Sequence, residues 1–380
     1  MHYLEKRWRL RHQRTIVLHA GLPKTGTTYI QNELFALRKV LRQDHQVLMP
    51  SISPNLTDAL CSMFHDDPML HITNKIQGKS NEDLRDQIGA YFANIEGELD
   101  RHEWNMLILS AEGVYNLGES EMRRLQVWGR QFGLRWKIVF GVRNGPDWVR
   151  SVIQEMVKGG DTLNRLYDDL PIPLYRERIG TAIKLFGRSS VTVYSYEDAA
   201  AYPQGILSHF LSVLGLQIPV GEQQGSQQQN KCMSHEALTL LSRINAMRPL
   251  LTAGSILPAR RNGREALNLL GVRGRPFRLP PGIRRRVIAA VAEQEQWLED
   301  NFGISYQYPA TCRVSYGSSG SKSRGDGAKM ARKGGSAVRA ALPSSQGGYA
   351  ESHGAALELS SEALDDLAVL ICDLVNGRPR

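Results

Sequence analysis

Leu18-His-Ala-Gly-Leu-Pro-Lys-Thr-Gly-Thr-Thr-Tyr-Ile-Gln31 is a glycine-bounded loop between an apolar strand and an amphipathic helix, and its reading decides the fold. Residues 15–18 form a short β-branched run suited to a buried parallel strand, while Tyr29, Ile30, Leu34, Leu37 and Leu41 recur at helical spacing. The loop therefore ends at a helix N-terminus, where unpaired N–H groups and roughly half a positive charge collect. Thr25, Thr27 and Thr28 add hydroxyl donors that suit phosphate oxygens, and Gly21 and Gly26 let the backbone curl close to an anion.

A nucleotide triphosphatase of the Walker type needs Gly-x-x-x-x-Gly-Lys-Ser/Thr, so that the lysine reaches the β- and γ-phosphates. Gly21 and Gly26 have that spacing, yet Thr27 stands where the lysine belongs and Lys24 precedes the second glycine. Downstream, Lys-Ile-Val-Phe-Gly-Val at residues 137–142 is a second buried-strand run, ending in Arg143-Asn-Gly-Pro-Asp-Trp-Val-Arg-Ser151. Pro146 suits a first helical turn, and Trp148, Val149, Val152 and Met156 give the helix an apolar face. Arg143 at the strand end can grip a phosphate bidentately, and Ser151, two turns into the helix, adds a hydroxyl. Between these segments residues 106–109 form a third apolar strand, followed by Ser110-Ala-Glu112-Gly113. A carboxylate at the carboxyl end of a parallel strand lies where open α/β sheets place ligands, which makes Glu112 the candidate general base. The other readings of Glu112 are a cap on the helix beginning near Glu119 and an ion pair with an arginine. His19 and His71 are the reserve bases, His19 being equally readable as a packed, neutral imidazole.

The Pro-Lys-Thr-Gly-Thr-Thr string resembles the 5′-phosphosulfate loop of the sulfotransferases, which use 3′-phosphoadenosine 5′-phosphosulfate (PAPS) as sulfuryl donor. Arginine followed by serine eight residues later, across a strand-to-helix turn, resembles the 3′-phosphate element of that family, and Gln154, Glu155 and Lys158 extend the match. The Tyr-Ser-Tyr-Glu-Asp string at residues 194–198 resembles the segment that closes the family's core sheet. The resemblance implies that Lys24 bridges the 5′-phosphate and the leaving oxygen, and that Thr25, Gly26, Thr27 and Thr28 cradle the phosphosulfate. Arg143 and Ser151 then hold the 3′-phosphate. It implies transfer to a hydroxyl of a carbohydrate, glycolipid or small metabolite without a metal, and a carboxylate base as in several glycan-modifying members. It fades around the helix expected at residues 283–301. A P-loop small-molecule kinase and a non-catalytic nucleotide-binding scaffold are the alternatives; the first lacks a Walker lysine and a clear metal-binding aspartate.

Strands alternating with helices imply an α/β fold, a parallel sheet flanked by helices, over residues 1–313. Residues 314–354 turn to glycine, serine, alanine and basic side chains and read as a disordered linker, because too little apolar surface is available to offset chain entropy. Within residues 355–380, Leu364, Leu367, Leu370, Ile371 and Leu374 form the stripe of an amphipathic helix with an acidic polar side. Self-association, docking on the basic enzyme and engagement of a partner are its open roles.

His65, Asp66, Asp67 and His71 group around Pro68 but match no named metal spacing; this segment is expected to help form the acceptor pocket. Residues 221–229 are glutamine-rich and read as a solvated connector. Residues 258–285 carry Arg260, Arg261, Arg264, Arg273, Arg275, Arg278, Arg284 and Arg285, either an anion-binding loop or a solvated basic face. The net charge of +9 over 380 residues would also suit a nucleic-acid binder, yet no zinc finger, recognition-helix pattern or aromatic RNA-binding signature accompanies it. No run of about 18 apolar residues is present to span a membrane, and the basic N-terminal stretch lacks an apolar core of signal-peptide length. Four scattered cysteines fit a reducing cytoplasm, and the unanchored form resembles bacterial members of the family.

Overall fold

The computed structural model describes residues 14–71, 73–74, 77–218, 232–252, 255–256, 260, 264–309, 365 and 368. Strands β1 (Thr15–His19), β2 (Val47–Leu48), β3 (Met106–Ser110), β4 (Arg135–Val142) and β5 (Val191–Ser195) form one sheet in the order β2-β3-β1-β4-β5. Every pairing is parallel, with His19 opposite Ser110 on one side and Val139 on the other. A parallel sheet must be covered on both faces, and the period-2 alternation of β1 supplies both. Ile16 and Leu18 join Leu107, Leu109, Ile138 and Phe140 on one face, whereas Val17 joins Ile108 and Val139 on the other.

The first face is covered by α2 (Thr57–Phe64), α3 (Asn81–Arg101), α4 (Glu119–Gly129) and α7 (Tyr175–Phe186), through Leu60, Leu99, Leu125 and Ile179. The second is covered by α1 (Thr27–His45) and α9 (Gly205–Leu214), through Ile30, Leu34, Leu207 and Phe210. A separate apolar cluster joins α5 (Gly145–Lys158), α6 (Leu163–Asp168), α10 (His235–Met247), α11 (Arg264–Leu269) and α12 (Pro281–Phe302). In it, Val149 and Ile153 pack with Leu241 and Val291. A short hairpin, β6 (Leu251–Thr252) with β7 (Ser255–Ile256), follows α10.

The α/β architecture expected from the strand and helix periodicities is the one observed. β4 begins at Arg135 rather than Lys137, because Thr15 pairs with Arg135 and carries the ladder that far. β5 stops at Ser195, whose side chain accepts a bond from the Asp198 N–H, caps α8 (Tyr196–Ala201) and so takes Tyr196 into a helix. Ser234 caps α10 in the same way through Ala237. Arg260 is no part of a solvated or anion-gripping face. Its side chain is 1% exposed, paired at 2.8 Å with the buried Glu265 carboxylate and at 2.9 Å with Asn245 Oδ1. Arg275 pairs with Glu236 at the surface.

Residues 221–229 and 314–354 lie outside the described residues. In the 355–380 segment Asp365 and Ala368 are described: Asp365 is 3.3 Å from Arg243 of α10, and Ala368 is buried in the α5–α10 cluster. No helix among the described residues is long and apolar enough to cross a membrane.

The topology also prepares a site. The connection from β1 leads through α1 to one edge of the sheet, while that from β4 leads through α5 to the other. The carboxyl ends of these neighbouring strands therefore border the crevice where open α/β sheets receive ligands. Phe210 supports the floor of this crevice, since it is fully buried and its ring centroid lies 4.5 Å from that of His19. Phe210→Ala is expected to lower the unfolding free energy by about 3–5 kcal/mol in urea titration; a loss below about 1 kcal/mol would mean that α9 does not support the sheet there.

Candidate functional site

The β1–α1 loop is held from below by its own hydroxyls. Thr25 Oγ1 donates to the Leu22 carbonyl at 2.6 Å, and Thr27 Oγ1 donates to Glu112 Oε2 at 2.5 Å. Of the three threonines, Thr28 is the one that faces outward. Gly21 is required by packing, because a Cβ there would come within 2.3 Å of the Thr27 methyl. Gly26, at φ +82°, ends the loop in the left-handed region, and α1 starts behind it with no side-chain cap. The first-turn N–H groups of α1 are thus left for a ligand or water.

Lys24 is also left-handed, at φ +69°. For a residue with a Cβ this costs about 1–2 kcal/mol and persists where neighbours hold the backbone. Two side chains from the second turn do so. Arg143 Nη1 donates to the Lys24 carbonyl at 3.1 Å, and Trp148 Nε1 donates to the Pro23 carbonyl at 2.9 Å. The Lys24 ammonium lies 2.8 Å from Glu155 Oε2, with Lys158 3.6 Å from the same carboxylate. Burial works against ionisation of Glu155, but the two lysines outweigh it and hold its carboxyl below the usual range.

Arg143 is the hub of the second turn. The same Nη1 lies 3.3 Å from Ser151 Oγ, its guanidinium carbon sits 4.6 Å above the centre of the Tyr196 ring, and its Nε is buried without a partner. Its backbone is gripped by the buried Tyr175 hydroxyl, which donates to the Arg143 carbonyl. The N-terminus of α5, unlike that of α1, is already satisfied. Asn144 Oδ1 accepts from the Asp147 N–H, Glu295 Oε1 accepts from the Gly145 N–H at 2.8 Å, and Glu197 Oε1 binds the Asn144 N–H and amide. An anion at the α1 turn meets backbone amides, whereas one at the α5 turn meets the side chains of Arg143 and Ser151.

Glu112 opens the 3₁₀ turn Glu112–Asn116 at the end of β3 and faces the loop through Thr27. It does not cap α4, where the Glu121 carboxylate accepts from the Gly118 N–H at 2.6 Å, and among the described residues no arginine pairs with it. Of the two reserve histidines, His71 lies elsewhere. His71 bonds Asp58 of α2 at 2.8 Å, His65 lies 3.5 Å from Glu121, and Asp66 pairs with Arg124; none of these contacts involves the loop. No group of three or more His, Cys, Asp or Glu side chains converges on a metal position among the described residues.

Lys24, Glu112, Arg143 and Ser151 were visible as isolated residue types. The Lys24–Glu155 pair, the Tyr196 stacking surface and the Trp148–Pro23 bond join residues more than 50 positions apart and left no local signal. Glu197 and Glu295, which seat the α5 turn, were equally silent, although the aromatic and acidic Tyr-Ser-Tyr-Glu-Asp string marked the segment.

His19 is fully buried, with Nδ1 2.8 Å from Ser110 Oγ, and burial pushes its pKa from 6.5 down to about 3. The unfolded chain binds a proton at this ring below pH 6.5 and the folded chain only near pH 3, so stability is complete above 6.5 and falls as the pH drops toward 3. His19→Gln should flatten the acid slope of urea midpoints measured between about pH 4 and about pH 7. An unchanged slope would show that His19 is not held neutral.

No protein-family model matches the chain, and no curated protein matches it in sequence. Solved structures to which it is similar include a sulfotransferase from Alicyclobacillus acidocaldarius, at 14% identity and a TM-score of 0.42, covering 77% of this chain and 97% of that one. The sulfotransferase domain of the Synechococcus PCC 7002 olefin synthase follows at 16% identity and a TM-score of 0.31, covering 71% and 97%. The sulfotransferase domain from the curacin biosynthetic pathway has 14% identity and a TM-score of 0.27, covering 58% and 80%.

Proposed function

We propose that this chain is a PAPS-dependent sulfotransferase that moves a sulfuryl group to a hydroxyl of a carbohydrate, glycolipid or small metabolite. The observation that carries the reading is the sharing of Arg143 Nη1 between the Lys24 carbonyl and the Ser151 hydroxyl. One guanidinium thereby joins an amide-presenting loop to a side-chain anion site, as a ligand with two separate phosphates requires. The uncapped α1 N-terminus and the buried, unpartnered Arg143 Nε fit the two anionic ends of the donor.

The donor supplies an activated sulfuryl group on a phosphate leaving group. Loop amides with the outward Thr28 hydroxyl receive its 5′ end, and Arg143 with Ser151 receives the 3′-phosphate, Tyr196 keeping the guanidinium plane in place. Lys24 exchanges its Glu155 partner for the incoming anion and offsets charge that develops on the leaving oxygen. Glu112 takes the acceptor hydroxyl proton as the new O–S bond forms, and the Thr27 hydroxyl orients its carboxylate. His19 is buried and neutral and serves as packing.

Calorimetry with adenosine 3′,5′-bisphosphate against ATP and magnesium tests the donor: tighter binding of the bisphosphate is expected, and tighter binding of ATP would favour a kinase. Lys24→Ala should lower turnover from labelled donor by about a hundred- to a thousandfold while circular dichroism stays unchanged. Glu112→Gln should lower kcat with the Kd for the bisphosphate unaltered; an undiminished rate would take Glu112 out of the reaction.

A further inference from the structure

Arg178 of α7 stands at the same end of the sheet with its charge uncompensated. Its Nε is buried without a hydrogen-bond partner, and among the described residues its guanidinium enters no ion pair. Several other arginines of the chain are paired. Arg123 pairs with Glu119, Arg124 with Asp66 and Arg260 with Glu265. Withdrawing part of a guanidinium from water without an opposite charge is costly, and that cost is recovered when a ligand brings an anion.

The surroundings say which ligand. Arg178 lines a small cleft with Ala20, Tyr115 and Phe140. Ala20 follows β1 and Phe140 belongs to β4, so the cleft lies near the carboxyl ends of those strands, on the sheet face covered by α4 and α7. Tyr115 lies in the 3₁₀ turn that Glu112 begins, and the Arg178 guanidinium carbon is 5.7 Å from its ring centre. Burial raises the pKa of the Tyr115 hydroxyl, an Asn116 bond and the Arg178 charge lower it, and the Glu112 charge raises it, so this ring lies in the field of both groups. The cation thus sits on the Glu112 side of the crevice, while Arg143 and Ser151 are on the α5 side. It is placed for the acceptor rather than the donor.

We propose that Arg178 forms an acceptor subsite for an anionic group, a carboxylate, sulfate or phosphate carried near the hydroxyl that Glu112 deprotonates. This rests on the sulfotransferase reading and narrows its substrate class to acidic acceptors. Neutral sugars would leave the guanidinium unpaired.

The test uses the full chain and direct binding, with and without saturating adenosine 3′,5′-bisphosphate. Methyl glucuronide and glucose 6-phosphate are compared with methyl glucoside by saturation-transfer NMR titration. At least one anionic sugar should bind about tenfold more tightly than the neutral one, the worth of one charge-assisted hydrogen-bonded contact. Arg178→Gln should abolish the preference and Arg178→Lys should keep part of it, with bisphosphate affinity reporting that both variants are folded. Equal binding of all three sugars by the wild-type chain, absence of binding, or a preference that survives in Arg178→Gln would each overturn the subsite. Failure of the bisphosphate to bind would instead overturn the donor reading, and the sugar titrations without nucleotide keep the two outcomes apart.

Discussion

The site depends on the parallel pairing of β1 with β4. It places the two strand-to-helix turns side by side, so that Arg143 from one can reach the carbonyl of Lys24 in the other. The chain leaves these strands in opposite directions, through α1 and α5, and the opening between the departing loops is a consequence of topology rather than of any single residue. Without that pairing, the lysine loop would be a strained turn and Arg143 a surface side chain.

The two turns solve the problem of binding an anion in different ways. The loop before α1 uses backbone: the Thr25 and Thr27 hydroxyls turn inward to Leu22 and Glu112, and the helix N-terminus is left uncapped. The turn before α5 uses side chains, because Asn144, Glu197 and Glu295 have already consumed the local backbone donors. The buried Glu295 and half-buried Glu197 carboxylates act as fixed supports for the arginine. Burial raises the pKa of Glu295, bonds from Tyr308 and the Gly145 N–H oppose the rise, and the nearby Glu197 charge adds to it. A small cluster of acidic and phenolic groups thus seats the backbone of the turn.

Much of the architecture could be read in one dimension. Short apolar runs at residues 15–18, 106–109, 137–142 and 191–196 lie at strands, and the helices between them follow their apolar periodicities, because burial on both sheet faces demands continuous hydrophobic strands. Chemistry-bearing residues were legible wherever they sit at a strand end or in a glycine loop, as Lys24, Glu112 and Arg143 do. Arginine density misled at Arg260, since composition does not distinguish a cation facing solvent from one closed against Glu265. Glu155 was marked only as an extension of the Arg143–Ser151 resemblance, with nothing to pair it with Lys24, and Arg178 carried no signal of its own, as one polar residue on an amphipathic helix.

The amino-acid sequence by itself determined the alternation of strands and helices, the glycine loop with its displaced lysine, and the types of side chain present at each strand end. These follow from local periodicity and backbone freedom, which act over a few residues. Tertiary structure alone decided that Glu112 meets Thr27, that Lys24 rests on Glu155, that His19 is sealed and neutral, and that Arg178 Nε is buried without a hydrogen-bond partner among the described residues. Each of those outcomes depends on which charge approaches which across tens of residues of chain, and on how much water remains between them. Only the packed sheet and its covering helices set those distances.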